Sequence, residues 1–437
     1  METRNVLLAV IFSTIVLVFW ATFFEAPILE QKTSEKKITQ NEELSSPSIE
    51  EKEVKKEITR NEIIKKSKGN RIKVENENIK GSISLEGAII DDIIFKNYKE
   101  TLNSENKVVF LNPKNSPKEY YIETGWATGG DENIKLPLIN TIWKNKGNNI
   151  LTPNNPVILE WDNGQGLLFT KKIELDEKFL FKITQNIKNN SNKAFQFYPY
   201  AQITRGGKQE GMQIYILHEG FLGVFGEELV EKDYDDIEKE KFTVNSSKGW
   251  LGITDKYWLT AIVPEKGSEF KAEFVAKKEK YRANYIIKEA KILNPGNSIT
   301  NEINTFVAAK EVDVIDNYAE QLGIEKFDLA IDWGWFYFFT KPLFFIIDYF
   351  FKLTGNFGWA IVIITALVRL IFFPLANYSF KSMAKMKILQ PEMGLTFSLL
   401  YKAIISCCNL TLSFLCKSFS LSISGCRTFI FAIDLNE

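Results

Sequence analysis

At 437 residues the chain is long enough for two or three structural units. Its 54 Lys and Arg nearly balance 55 Asp and Glu, which argues against a nucleic-acid binder with its basic face. A single histidine, His218, and four cysteines confined to Cys407, Cys408, Cys416 and Cys426 exclude a histidine metal cluster and any Cys/His nucleophile pair upstream of residue 407.

After residues 1–5, the run "VLLAVIFSTIVLVFWATFF" from Val6 to Phe24 carries no charge. At about 1.5 Å per residue it crosses a hydrocarbon core of about 30 Å. No small-residue cleavage pattern follows in "WATFFEAP", so an uncleaved transmembrane signal-anchor is expected over 6–24. Residues 25–70 turn to Glu, Lys, Ser, Thr and Asn. Such a segment cannot bury enough apolar surface to offset its ordering entropy, and is expected to be a flexible linker with solvated charges.

From 71 to 312 the pattern is short alternating runs broken by turn residues. Phe179, Phe181 and Ile183 alternate with polar neighbours, the chain turns through Asn189-Asn190-Ser191-Asn192, and Phe195 and Phe197 resume. Asn163-Gly164 between two such runs is a strong hairpin signal. This spacing predicts a large all-β antiparallel sandwich. His218, in "YILHEGFLGV", reads as a structural residue at a strand edge.

Residues 313–355 predict connecting and interfacial amphipathic helices. In "DWGWFYFFTKPLFFIIDYFFKLTGN" the positions Lys341, Asp348 and Lys352 fall on nearly one helical face, with Phe344, Phe345, Ile347 and Phe351 assigned to the other. Trp333 and Trp335 suit a headgroup boundary, so the helix is expected to lie in the interface, a buried core helix being the alternative.

A transmembrane helix is expected over 356–376, with Arg369 six residues before Leu375. An arginine near a helix centre costs roughly 2.5–3.5 kcal/mol on insertion scales. It either snorkels to the lipid phosphates or faces a hydrated groove. Thr365 one turn before and Asn377 about two turns after, on a similar face, offer a polar lining for such a groove. Pro374 lacks an N–H and is expected to loosen or kink the helix. Lys381, Lys385 and Lys387, in the segment 377–393, form a positive flank that places this end in the cytoplasm. The N-terminus is then cytoplasmic as well, and the sandwich lies outside, in the periplasm of a bacterium.

Together these residues resemble the YidC membrane protein insertases of the YidC/Oxa/Alb family. The motifs that carry the resemblance are "METRNVLLAVIFS", "GWLGITDKYWLTAIVP", "FVAAKEVDVIDNY" and the long block from "DWGWFYFFTKPLFFIIDYFFKLTG" to "MAKMKILQPEM", so it covers roughly residues 1–393. The resemblance implies a periplasmic β-supersandwich related to sugar-mutarotase folds, followed by an α-helical insertase core whose groove carries an arginine at the place matched by Arg369. It implies a multi-pass protein of the bacterial inner membrane that helps insert, fold and assemble integral membrane proteins, alone or with the Sec translocon. The partners it implies are nascent membrane proteins, the translocon and the phospholipid bilayer, with nucleic acid met only indirectly through translating ribosomes. Such a role needs no covalent chemistry, and with no nucleophile, metal cluster or phosphate loop visible in the sequence, no catalytic residue, cofactor, metal or enzyme activity is expected. The alternative is a membrane-anchored periplasmic binding module acting through its β-sandwich.

After Met393 the family pattern calls for a charged cytoplasmic hairpin and four more spans. Residues 394–437 instead gain Ser, Leu and all four cysteines. An out-of-frame tail is expected, a divergent third span being the alternative. On the first reading the chain lacks most of the insertase core and would not support insertion alone.

Overall fold

The structure, a computed structural model, describes residues 58–385 except 102, 130–133, 209–217 and 335. The expected anchor over 6–24, the linker up to residue 57, Trp335, Lys387 and the tail 394–437 lie outside the described residues. The chain divides into two compact units, the first ending at Asp332 and the second beginning at Trp333.

The first unit is the expected all-β sandwich, built from an eleven-stranded and a nine-stranded sheet. The strands pair antiparallel except where Arg71–Glu75 meets the short strand Ile150–Leu151. Alternation explains the layering. Phe181, Ile183 and Ile187 of one sheet and Ile122, Ala201 and Ile203 of the other belong to one buried cluster. At one end of that core Phe95 stacks on Phe110 and Trp258, with ring centroids 5.1 and 4.8 Å apart, and meets Phe179 edge-on.

Two turns depart from the simplest expectation. The Asn163-Gly164 signal does close a hairpin between Val157–Asp162 and Leu167–Leu175, but across four residues. The Asn163 side-chain oxygen accepts from the amides of Gln165 and Leu167, which holds the wider loop. The turn after Asn189 makes no hairpin. It carries the chain from Leu180–Asn189 in the nine-stranded sheet to Phe195–Gly206 in the eleven-stranded one. The fully buried Asn189 side chain donates to the carbonyls of Lys193 and Leu293 and so ties the crossing down.

Within the segment expected as linker, helix α1 (Arg60–Lys66) forms. Thr59 and Glu62 make a reciprocal capping box, and Arg60 pairs with Asp92. Beside it, the buried Arg71 and Asp91 form a second ion pair. Burial nevertheless raises the Asp91 carboxyl to about 6, with the Arg71 charge opposing.

A short helix, α2 (Tyr234–Lys239), precedes the edge strand Phe242–Ser246. Helix α3 (Val312–Leu322) leaves the last long strand, Ser298–Ala309, and packs through Val314, Ile315 and Tyr318. The Tyr318 hydroxyl donates to Asp176 and accepts from the Phe179 amide at 3.1 Å. Gly323, at φ 56°, ends α3 in the left-handed conformation, and Phe327 then packs edge-on against the buried Trp250.

Strand register also puts a polar row inside the sandwich. Lys171 pairs with Gln185, and Gln185 with Asn301, on three adjacent strands. The Lys171 ammonium donates to the Thr124 carbonyl at 2.6 Å and lies 5.1 Å from the Trp143 ring centre. Burial pulls its pKa down to about 8, with the Glu123 charge opposing. Below pH 8 the folded and unfolded chains both hold this proton, and the fold bears the full cost of the buried charge. Between about 8 and 10.5 the unfolded chain holds it more tightly, so stability rises with pH across that window. The gain is about 3 kcal/mol at about 1.4 kcal/mol per pKa unit. Lys171→Met is expected to flatten this rise and to stabilise the sandwich at pH 7, as read from unfolding of the β-unit by tryptophan fluorescence across pH. An unchanged pH profile in the variant would contradict the assignment.

Candidate functional site in the membrane segment

The second unit opens on Trp333 and builds two consecutive helices, α4 (Tyr337–Thr354) and α5 (Phe357–Lys385). The joint between them is written in two residues. Gly355, at φ 65°, takes the left-handed cap of α4 and returns its amide to the Phe351 carbonyl at 2.8 Å. Asn356 then caps α5, its side-chain oxygen accepting from the Gly358 amide at 2.8 Å.

Trp333 folds back on the first turns of α4. Its carbonyl accepts from the Thr340 hydroxyl at 2.7 Å, its ring meets Phe344 edge-on at 5.5 Å, and the Lys341 ammonium stands 5.7 Å from the ring centre. One helical turn apart, Asp348 and Lys352 pair at 2.6 Å. With about 100° per residue, Lys341, Asp348 and Lys352 form a narrow charged stripe. Of the apolar residues expected opposite, Ile347 alone lies well away from the stripe, about 100° from Asp348 and about 140° from Lys352. Phe344 and Phe351 sit about 40° and about 60° from Asp348 on one flank, and Phe345 about 60° from it on the other, so these three lie beside the charges. The helix is thus aromatic around most of its circumference, and Tyr337, Phe338, Tyr349 and Leu353 are all strongly exposed.

Among the described residues α5 is the one helix long and apolar enough to cross a membrane by length and composition. Its 29 residues extend about 43 Å at 1.5 Å per residue. It continues unbroken through Pro374 to Lys385, past the expected end at 376, and carries Lys381 and Lys385 on its last turns. Ala360 and Ile364 are its buried positions. Arg369 lies about 140° around the helix from Ile364 and about 180° from Ala360, on the exposed side.

Of the proposed polar lining, Thr365 sits one turn below Arg369, about 40° around, but its hydroxyl donates to its own helix at the Ile361 carbonyl, 2.7 Å away. Asn377 is about 80° around from Arg369, so the three residues make a broad polar sector in place of a single line. Arg369 has no ion-pair partner among the described residues. Neither is there, among those residues, a group of three or more side chains placed to hold a metal ion. The Gly355-Asn356 joint is missing from the sequence-based expectations, although an αL glycine followed by a capping asparagine is a legible signal. In the first unit His218 sits just before the strand Gly220–Phe225, its amide donating to Asp332 and its ring 3.2 Å from the Asp233 carboxylate. That placement accords with a structural role.

Comparison with known proteins places these two units in a family. Residues 71–346 match the model of the YidC periplasmic domain, and residues 349–395 match that of the 60Kd inner membrane protein. A membrane protein insertase YidC from Pelagibacter ubique is 48% identical over 397 residues, covering 90% of this chain and 70% of that protein. The protein of the same name from Methylorubrum extorquens is 41% identical over 342 residues, 75% of this chain and 55% of that one. A galactose mutarotase related enzyme from Lactobacillus acidophilus superposes at a TM-score of 0.37 and 10% identity, over 55% of this chain and 97% of that one, too slight a likeness to argue from.

The cap geometry makes a local forecast. Asn356→Ala should cost about 1 kcal/mol at the start of α5. Amide hydrogen exchange at Gly358 is then expected to speed up about fivefold while Asn356→Asp leaves it near the wild-type rate. Equal exchange in all three proteins would show that the side chain does not cap the helix.

Proposed function

Because the chain belongs to the YidC family of membrane protein insertases, we propose that it helps insert, fold and assemble integral proteins of the bacterial inner membrane. On this reading the β-sandwich stands in the periplasm and the N-terminus and the lysines ending α5 stand in the cytoplasm. Nascent membrane proteins are the substrates, delivered by translating ribosomes and received alone or beside the Sec translocon. Helix α4 lies along the bilayer surface, where its charged stripe meets water and its aromatic rings meet acyl chains.

The observation that carries the reading is Arg369, a permanent charge on the exposed side of an apolar helix with no ion-pair partner among the described residues. Held in a wet sector of the inner leaflet, it shortens the hydrocarbon barrier and draws acidic parts of an incoming chain toward it. Only non-covalent attraction and hydration are called for.

Arg369→Ala is expected to lower insertion of a substrate with an acidic translocated segment about tenfold, the worth of a charge-assisted contact of about 1.5 kcal/mol. Arg369→Lys should keep part of the activity. Thr365→Val should stay within about twofold, because the Thr365 hydroxyl is already spent on its own helix. Protease protection of the substrate in vesicles that hold the chain beside the Sec translocon measures all three. Arg369→Ala at the wild-type level would defeat the reading.

A further inference from the structure

Resting on the reading that the chain enters the bilayer interface at Trp333, we propose that a lysine-lined cavity at the end of the β-sandwich binds the phosphate of a membrane phospholipid headgroup. The cavity has a volume of about 410 Å³ and lies wholly within the first unit. Three lysines line it: Lys99 and Lys256 are exposed, and Lys310 is partly buried. Register brings them together. Lys310 follows directly on the strand Ser298–Ala309, whose neighbour Trp258–Val263 begins beside Lys256, and the Lys310 amide donates to the Tyr257 carbonyl at 2.9 Å.

The ammonium groups of the lining outnumber its carboxylates, three against Glu311 and Asp332. None of the three ammonium groups has an ion-pair partner among the described residues. The Lys310 ammonium has one hydrogen bond, to the Thr254 hydroxyl at 3.1 Å. The field of Asp255, Asp332, Glu219 and Glu231 reaches Lys310 but offsets only part of the cost of burying it. The two carboxylates of the lining keep their charge, but each is held by a neutral donor of the fold. Glu311 accepts from the Tyr98 hydroxyl at 2.6 Å, and Asp332 accepts from the His218 amide at 3.3 Å. A phosphate offers the three ammonium groups the direct ion pairs that no carboxylate among the described residues makes with them.

Position and aromatic chemistry favour a lipid over a soluble anion. Asp332 lines the cavity and is joined by one peptide bond to Trp333, about 3.8 Å between α-carbons. Tyr257 is 58% exposed at the rim, with the Lys256 ammonium 5.1 Å from its ring centre and Trp258 edge-on behind it. Tyrosine, tryptophan and lysine side by side are what the headgroup zone of a bilayer selects.

The test places the photoreactive residue benzoylphenylalanine at Tyr257 in the full chain, reconstituted in bilayers of phosphatidylcholine with or without phosphatidylglycerol. Adducts are read by intact mass. A lipid adduct is expected, several-fold stronger with phosphatidylglycerol, reduced several-fold by the surface charge reversals Lys99→Glu and Lys256→Glu, and indifferent to added inorganic phosphate. No lipid adduct, one untouched by the charge reversals, one displaced by inorganic phosphate, or adducts to protein alone would each overturn the proposal. A second probe at Phe338 on α4 separates the two levels. Lipid adducts at Phe338 without any at Tyr257 sink the headgroup site alone, whereas their absence at Phe338 sinks the interfacial reading beneath it.

Discussion

A guanidinium keeps its charge at any pH a cell reaches, so a helix that carries one among apolar side chains must bring water or an anion to it. That constraint organises the membrane segment. The buried positions of α5, Ala360 and Ile364, lie on the side away from Arg369, and the side that holds the arginine is exposed along its length. A helix of this composition placed alone in hydrocarbon would bear the cost of the charge unrelieved. The proposed answer is a wet sector facing the path of an incoming chain, and it makes the expensive residue the useful one.

The β-unit faces the opposite problem. Its interior is rich in aromatic rings, yet it admits the ion pair of Arg71 with Asp91 and the solitary ammonium of Lys171. Buried charges of this kind are weak evidence for stability. The carbonyl of Thr124 and the face of Trp143 compensate Lys171 only in part, which the fall of its pKa to about 8 reflects. The stability of the sandwich therefore rests on its apolar contacts and on buried side-chain ties such as those of Asn189 and Tyr318.

Alternation and turn chemistry are local signals, and for that reason much of this architecture is legible in the amino-acid sequence. Phe179, Phe181 and Ile183 mark a strand, and Asn163-Gly164 marks a hairpin. Whatever depends on register or on the third dimension is not legible in the same way. The Asn189 turn looks like any hairpin turn until the strands on either side are seen to join different sheets. Lys171, Gln185 and Asn301 are far apart in sequence and meet only through strand pairing. Lys99, Lys256 and Lys310 converge for the same reason. Helix α1 is hidden because its capping box lies within a polar stretch whose composition favours a linker. On α4 the charged stripe is legible, but the placing of Phe344, Phe345 and Phe351 requires counting the helical angle residue by residue.

The role proposed for α5 requires that position 369 meet water while the apolar side chains around it do not. A single cysteine at Arg369, in a chain whose four native cysteines are replaced, reports this directly in inverted inner-membrane vesicles treated with a membrane-impermeant maleimide. Prompt labelling is expected at 369, with slow labelling of cysteines at Leu367 and Ile371. Equal protection of all three positions would mean that Arg369 has no wet sector to face, and the proposed role would fall with it.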